Sequence, residues 1–545
     1  MTWRPRQIFE YDPLQDRIMV TDEETGQVVA ALKPDAIDPD PEDVTWLLKW
    51  KYRPPYETKR REATWRKRAE LTGDPIQSIQ TALQNDPAAR DAYVALSRAG
   101  GHVYVVGGAV RDAHLGKTPK DVDLMVVGLP AETVNQVLGQ LQGRVDLTGQ
   151  SFGVYRYRNG ENEVEVALPR TEQSSGDAHR DFDVTINHEL APEDDLARRD
   201  FTGNAMAYNI DTNEFLDPYN GRQDLQDGVL RTVSPQSFKD DPLRIVRAIV
   251  SSARHGLEPD LGTLEQMREE AAQIRHLPGE RIQMELDKLM TSPDPVRALE
   301  IAQATGVLDY MIPEVSVAFG VDQYNPHHQL DVGEHLYEVL HHMTKISDDP
   351  DMRLAALLHD IGKPDSMWMD ENGKGHFYEH PDHPESADHH ELGAQYAEEF
   401  MKRLRYPNDR IQRVVKLVRN HMFPAFNTKK GARKFLQKVG DEQAAWDLLR
   451  LRMADLAGKG RQRGGLGNDQ STVKKMMDLL HEVIEEKPAF SLKDLAVNGN
   501  DLREVGIPPG KEMGTILRHL LDVVVDHPEW NTREELLGMA KQYAR

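Results

Sequence analysis

VYVVGGAVRDAHLGKTPKDVD, residues 103–123, decides the fold class of this chain. Val103–Val106 is a short β-branched and aromatic run that reads as a buried strand, and Gly107-Gly108 ends it where the chain must turn. Without Cβ atoms, that backbone can be approached closely by phosphates. Arg111 follows at the start of a helix, where its fork of donors suits phosphate oxygens. A second strand then carries Asp121 and Asp123. Side chains alternate along a strand, so these two carboxylates share a face while Val122 turns to the core. Carboxylates that close repel each other unless a cation lies between them. Hard divalent ions such as Mg2+ take oxygen ligands and polarise both an attacking hydroxyl and a leaving pyrophosphate. The chemistry implied is nucleotidyl transfer.

The totals are consistent with an enzyme of several domains. At 545 residues the chain has length for more than one core. It has no cysteine, which excludes disulfides, thiolate metal sites and cysteine nucleophiles, so a metal must be held by His, Asp, Glu or water. MTWRPRQIFE lacks the apolar core of a signal peptide, and no run is long enough to span a bilayer. A cytoplasmic protein without a membrane partner is expected. The net charge of -23 argues against a generic nucleic-acid coat, while leaving room for local basic surfaces.

Alone, a Gly-Gly turn or an Asp-x-Asp pair is weak. In this order, on strand-turn-helix-strand, they resemble motif A of the nucleotidyltransferase superfamily, in the bacterial branch of CCA-adding enzymes and poly(A) polymerases. Residues 195–209, DLARRDFTGNAMAYN, are similar to that family's motif B. The resemblance implies that Gly107, Gly108, Arg111 and Arg199 hold a triphosphate and that Asn204 bonds the ribose; a structural pair of Arg199 with Asp200 is the competing reading. Asp217, Gly221 and Asp224 stand in the places of a structural motif C. FKDDPLRIVRA, residues 238–248, resembles motif D, where Asp241 and Arg244 face the incoming base and Arg247 lies on the same helix. The two are i and i+3 and share a helix face. A carboxylate accepts from an exocyclic amine and a guanidinium donates to a ring nitrogen, so such a pair takes C and A and rejects U and G. Asp-Pro at a helix start is also a capping signature, and that reading stays open. Arg281 and Glu285 resemble motif E, bracing a helical neck.

Histidines become dense after residue 330. His335 in DVGEHLYEVLHHM, His359-Asp360 in RLAALLHDIGKPD, His389-His390 in ADHHELGAQYA, His421 in VRNHMF and Asp455 in LRMADLAG all fall on segments that read as helical. Imidazole and carboxylate suit a mixed N/O metal site that bundled helices can assemble. The pattern resembles the HD phosphohydrolase domain. That resemblance implies His335, His359, Asp360 and Asp455 as ligands of a divalent transition metal or Mg2+, with His390 and His421 as additional candidates. His376, His380 and His383 read as loop histidines.

The expected fold is an α/β nucleotidyltransferase head at residues 85–235, then all-α regions: neck and body at 236–325, HD domain at 326–464 and tRNA-binding tail at 465–545. Residues 1–84 form an extension with two or three strands. In it, Lys49–Arg68 holds nine Lys or Arg against two Glu, interleaved with Trp50, Tyr52, Tyr56 and Trp65; RNA contact and a solvated helix both fit. A long loop is expected from Thr171 to about Pro192, and a basic loop at 457–469. The family implies addition of CMP and AMP from CTP and ATP to a tRNA 3′ end, with Mg2+ on Asp121 and Asp123. CC-only, A-only or poly(A) addition shares these motifs. An HD phosphohydrolase with an RNA-binding head is the reading from another enzyme class.

Overall fold

The computed structural model describes residues 7–12, 17–22, 28–32, 74–148, 153–174, 182–323, 330–371, 375–378, 380, 382, 387–459 and 466–543. The basic aromatic stretch Lys49–Arg68 and His383 lie outside the described residues. The chain forms two compact units, residues 1–277 with 298–310, and 278–297 with 311–545.

In the first unit, β1 (Gln7–Asp12), β2 (Arg17–Asp22) and β3 (Val28–Leu32) form an antiparallel sheet, as the strand-like runs in the extension predicted. Among the described residues the first helix starts at Pro75, before the expected boundary at 85. Helices Pro75–Asn85 and Pro87–Arg98 each start with an Asp N-cap, Asp74 or Asp86, followed by Pro. The head is a seven-stranded mixed sheet of order β12-β11-β4-β5-β8-β7-β6. Its strands are β4 (His102–Val106), β5 (Asp123–Val127), β6 (Arg144–Thr148), β7 (Val154–Asn159), β8 (Asn162–Ala167), β11 (Ala207–Asn209) and β12 (Glu214–Leu216). Val103, Val105, Leu124, Met125 and Val126 have no exposed surface, so the central strands are anchored by burial on both faces.

Two expectations are corrected. Asp121 does not lie on a strand: β5 starts at Asp123, and Asp121 sits in the bend before it. Thr171–Pro192 is not one loop, because β9 (Arg170–Ser174) pairs antiparallel with β10 (Phe182–Ile186). The polar, glycine-containing residues between them masked the strand signal.

The second unit holds the HD region and tail, both mainly helical. Arg353, only 3% exposed, donates to the carbonyls of Met290, Ser292 and Ser347 at 2.6, 2.9 and 2.8 Å and pairs with Asp348. A buried guanidinium is tolerated because acceptors surround it. The tail packs Leu502, Leu520, Val524, Val525 and Leu536 into its own core. The basic loop expected at 457–469 is shorter than that, since one helix runs to Gly458 and the next starts at Leu466.

Candidate functional site

The first candidate site lies where β4 and β5 end together. Their antiparallel register sets Asp123 opposite Val106, one residue before the Gly107 turn. Gly107 has φ +69°, a conformation that glycine adopts without strain, and a Cβ there would fall 2.7 Å from Arg199 Nη1. A Cβ on Gly108 would meet Arg111 Nη2 at 3.5 Å. Two guanidinium groups therefore flank the Gly-Gly turn beside the carboxylates.

Arg111, on the helix Gly108–His114, is aimed by Asp112, whose Oδ1 accepts from Nε at 2.9 Å, and by Asn204 Oδ1, which accepts from Nη1 at 2.8 Å. Arg199 is held by the buried Asp195, at 3.3 Å, and its own buried Nε–H makes no hydrogen bond. An unsatisfied buried donor beside a glycine turn fits an anionic ligand. The Arg199–Asp200 pair of the competing reading does not form: Asp200 pairs with Arg247 at 2.7 Å and accepts from Asn204 Nδ2 at 2.9 Å.

Asp123 stays open to solvent as a residue, yet its carboxyl is pushed up to about 6. Loss of hydration is the main cause. Glu165 and then Asp121 add like charge, while Arg199 pulls the other way. Glu165 is next to Asp123 because β5 and β8 run parallel with Leu124 opposite Val166; it is shared with Arg156, at 2.7 Å. A cluster of hard oxygen donors that repel one another fits a divalent cation such as Mg2+.

Of the residues expected at the base, Arg244 lies on helix Leu243–His255, while Asp241 precedes it in extended backbone and so does not share a helix face with Arg244. Asp241 Oδ1 accepts from the Leu243 amide at 3.0 Å, so it does cap the helix. Arg244 donates to Arg198 O at 2.7 Å and Ser237 Oγ at 3.0 Å. A guanidinium has five donors, so these bonds leave capacity for a further acceptor.

The second candidate site is in the HD region. Four imidazoles surround Asp360, which is 3% exposed. His335 and His359 Nε2 lie 3.6 and 3.2 Å from Oδ2, while His389 and His421 Nε2 lie 3.5 and 3.4 Å from Oδ1. Asp455 Oδ1 is 3.2 Å from His335 Nε2 and 3.9 Å from His359 Nε2. Each Nδ1 faces a backbone carbonyl: Gly458 for His335, Ala356 for His359, Phe377 for His389 and Val418 for His421. That fixes every ring with Nε2 inward, as metal-ligating imidazoles require. The buried Nε2 atoms of His359 and His389 make no hydrogen bond, which fits a metal.

Gly362 makes the assembly possible, since a Cβ there would lie 2.1 Å from His389 O. Burial pushes His389 down to about 4 and also lowers His335, leaving neutral rings. Burial works against the Asp360 carboxylate, but His359 and Lys363 outweigh it and hold Asp360 well below the usual range. Lys363 Nζ is 2.7 Å from Asp360 Oδ2.

Three family models match in sequence: "Poly A polymerase head domain" over residues 103–231, "Probable RNA and SrmB- binding site of polymerase A" over 256–319, and "HD domain" over 332–459. Together they cover more than half of the chain. It belongs to the class II CCA-adding enzyme and poly(A) polymerase family, with an HD domain. Solved structures of similar fold include the Bacillus stearothermophilus CCA-adding enzyme in complex with CTP, with 21% identity, TM-score 0.57 and coverage of 85% of this chain and 98% of that one. A CCA-adding enzyme with ATP matches at 18% identity and TM-score 0.52, over 85% and 98% of the two chains.

As a member of this family the chain is a nucleotidyltransferase, and several of its site residues are easier to place than to anticipate. Asp121, Asp123, Gly107, Gly108, Arg111, Arg199 and Asn204 form one neighbourhood. His335, His359, Asp360, Asp455 and His421 form the other. The histidine doublet resolves differently from expectation: His389 points at Asp360, while His390, whose Nε2 is 3.9 Å from Asp388, lies outside the groups of ligand-forming atoms. Helix phase decides between adjacent residues, and sequence alone did not fix that phase. Asp195, Glu165 and Lys363 were not among the expected site residues. Asp195 had a readable signal, its i,i+3 and i,i+4 spacing to Arg198 and Arg199.

Proposed function

We propose that this nucleotidyltransferase adds CMP and AMP, from CTP and ATP, to the 3′ end of tRNA without a nucleic-acid template, building CCA. The observation that carries the proposal is the meeting of Asp121 and Asp123 with the Gly107 turn and its two flanking guanidinium groups. Mg2+ held by Asp121 and Asp123 would supply Lewis-acid polarisation of the α-phosphate and of the tRNA 3′-hydroxyl. Arg111 and Arg199 hold the triphosphate, and the Gly107-Gly108 backbone lets it approach. Asn204 keeps Arg111 in place and is the candidate ribose contact. Base choice is assigned to Asp241 and Arg244: C and A each present an amine beside an accepting nitrogen, which matches a carboxylate beside a guanidinium. The solved relatives named as CCA-adding enzymes in complex with CTP and ATP support this substrate pair.

The test is incorporation of each of the four nucleotides onto tRNA ending before, after one, or after both cytidines. Addition of C, C and A with arrest at CCA is expected. Addition of C alone, A alone or a long A tail replaces the proposal with a partial-function relative or a poly(A) polymerase, and no incorporation ends it.

A second activity is favoured by the inward-facing Nε2 atoms around Asp360. A divalent metal held by His335, His359, Asp360 and Asp455 would activate water against a phosphate ester, including a 2′,3′-cyclic phosphate. Hydrolysis of 2′,3′-cyclic AMP by the intact chain, lost in Asp360→Asn, is the expected result; equal rates for both proteins would refute it.

A further inference from the structure

We infer that the ring of Tyr378 is the base-binding wall of the HD region, stacking on the base of a nucleoside phosphate whose ester lies at Asp360. The inference rests on the phosphohydrolase reading of that region and names its substrate class. The segment that carries Tyr378 also holds His376 and His380, which read as loop histidines. In it, Trp368–Met369 pairs antiparallel with Gly375–His376, setting Trp368 opposite His376. The Trp368 ring stacks on His376, with centroids 4.5 Å apart and planes at 19°, and meets the His380 ring at 4.4 Å. Rings packed on one another in this way give a short irregular segment a defined shape.

The same segment is fastened to the histidine cluster. Phe377 O accepts from the His389 amide at 3.1 Å and faces His389 Nδ1 at 2.9 Å. The Phe377 ring lies 5.3 Å from Lys363 Nζ, which is 2.7 Å from Asp360 Oδ2. One residue on, Tyr378 O accepts from Trp368 Nε1 at 2.9 Å. The backbone at Tyr378 is therefore held from both directions. Its side chain is not covered: the ring meets His389 at 5.9 Å and 63°, and the residue stays 50% exposed. An aromatic ring fixed in water contributes little to folding, because its apolar surface remains hydrated. It does favour a ligand with a π-face, since the wall is already ordered before the ligand arrives.

Position selects the ligand. His389 Nε2 is 3.5 Å from Asp360 Oδ1, so one imidazole separates the Tyr378 ring from the carboxylate. A ribose separates a base from its own 2′,3′-phosphate in the same way. Met422, next in sequence to His421, is 43% exposed and adds a deformable apolar surface beside a second ring of the cluster. The cluster is not sealed, since His421 is 8% exposed and the Asp455 side chain 19%. Every base has a π-face, so such a wall distinguishes nucleoside esters from simple phosphate esters without choosing one base.

The experiment compares kcat/KM of the full chain on 2′,3′-cyclic AMP with that on the 2′,3′-cyclic phosphate of 1-O-methylribose, which has no base. Wild type should prefer the nucleotide by about tenfold, a usual effect of one base stacked on an aromatic ring. Tyr378→Ala should remove the preference through a higher KM for the nucleotide, and Tyr378→Phe, which keeps the ring, should retain it. Thermal unfolding checks that each variant is folded; if Tyr378→Ala is not, Tyr378→Leu makes the comparison. A preference that survives loss of the ring, including equal losses on both esters, would make Tyr378 a support for His389 and overturn the inference. Hydrolysis of both esters by wild type without preference also overturns it, while the phosphohydrolase reading stands. Hydrolysis of neither ester ends both.

Discussion

Arg247 Nη2 lies 2.7 Å from Asp200 Oδ2, and Asp200 Oδ1 in turn accepts from Asn204 Nδ2 and the Phe201 amide, both at 2.9 Å. Asn204 is also the residue that aims Arg111, so one buried carboxylate links helix Leu243–His255 to Arg111 beside the Gly107 turn. Burial by itself would raise the Asp200 pKa; Arg247 and Asn204, with Arg244, outweigh it and bring it below the ordinary carboxylate value. A depressed folded-state pKa stabilises the fold above the unfolded value of about 3.9, and the contribution disappears as pH falls through the folded value. Arg247→Gln removes the largest lowering influence. Its acid-unfolding midpoint, followed by circular dichroism, should move to higher pH than that of the wild type, and an unchanged midpoint would count against this account.

Gly107 and Gly108 should respond differently to alanine. At φ +69° and ψ -126°, Gly107→Ala strains the backbone by about 1–3 kcal/mol and pushes its new methyl against Arg199. We expect a lower melting temperature and a nucleotide KM raised by roughly tenfold, the effect of about 1.4 kcal/mol of lost binding. Gly108→Ala meets only an ordinary contact at 3.5 Å, so its melting temperature should stay near wild type. Equal destabilisation by both would refute the distinction.

Asp121→Asn and Asp123→Asn should each lower nucleotide incorporation by about 10³-fold, because several kcal/mol of charge stabilisation at the reacting phosphate would be lost. Glu165→Gln should lose less and need more Mg2+ for half-maximal rate, since Glu165 is divided between Asp123 and Arg156. Chelation with EDTA should stop incorporation, and excess Mg2+ should restore it. Rates in the Asp variants matching wild type would remove these residues from catalysis.

Arg353 should matter for stability alone. Arg353→Met leaves the carbonyls of Met290, Ser292 and Ser347 without a buried donor, a loss of about 3 kcal/mol or more. Calorimetry should show the unfolding transition of the HD-containing unit shifted to lower temperature. Nucleotide incorporation below that transition should be unaffected.

Much of this was legible in the sequence because chemistry and local geometry coincide there. The strand, turn and arginine of residues 103–111 are consecutive, and the spacing of Asp121 and Asp123 survives even though Asp121 precedes the strand. The capping side of Asp241 was equally readable, since Asp-Pro is a local capping signal and the side chain accepts from the Leu243 amide. For Arg199 the local reading had two carboxylates in reach, and it weighed the wrong one. Its sequence neighbour Asp200 is turned away to Arg247, and the carboxylate that holds Arg199 is Asp195, one helical turn earlier.

The sequence by itself determined the order of the domains, the residue types of both sites and the carboxylate pair, because each depends on residues close together in the chain. Only the tertiary structure decided that Glu165 stands beside Asp123, that His389 and not His390 meets Asp360, and that four imidazoles divide between the two oxygens of one carboxylate. Those facts depend on strand register, helix phase and the close approach at Gly362, which are set by packing between distant segments and carry no local sequence signature.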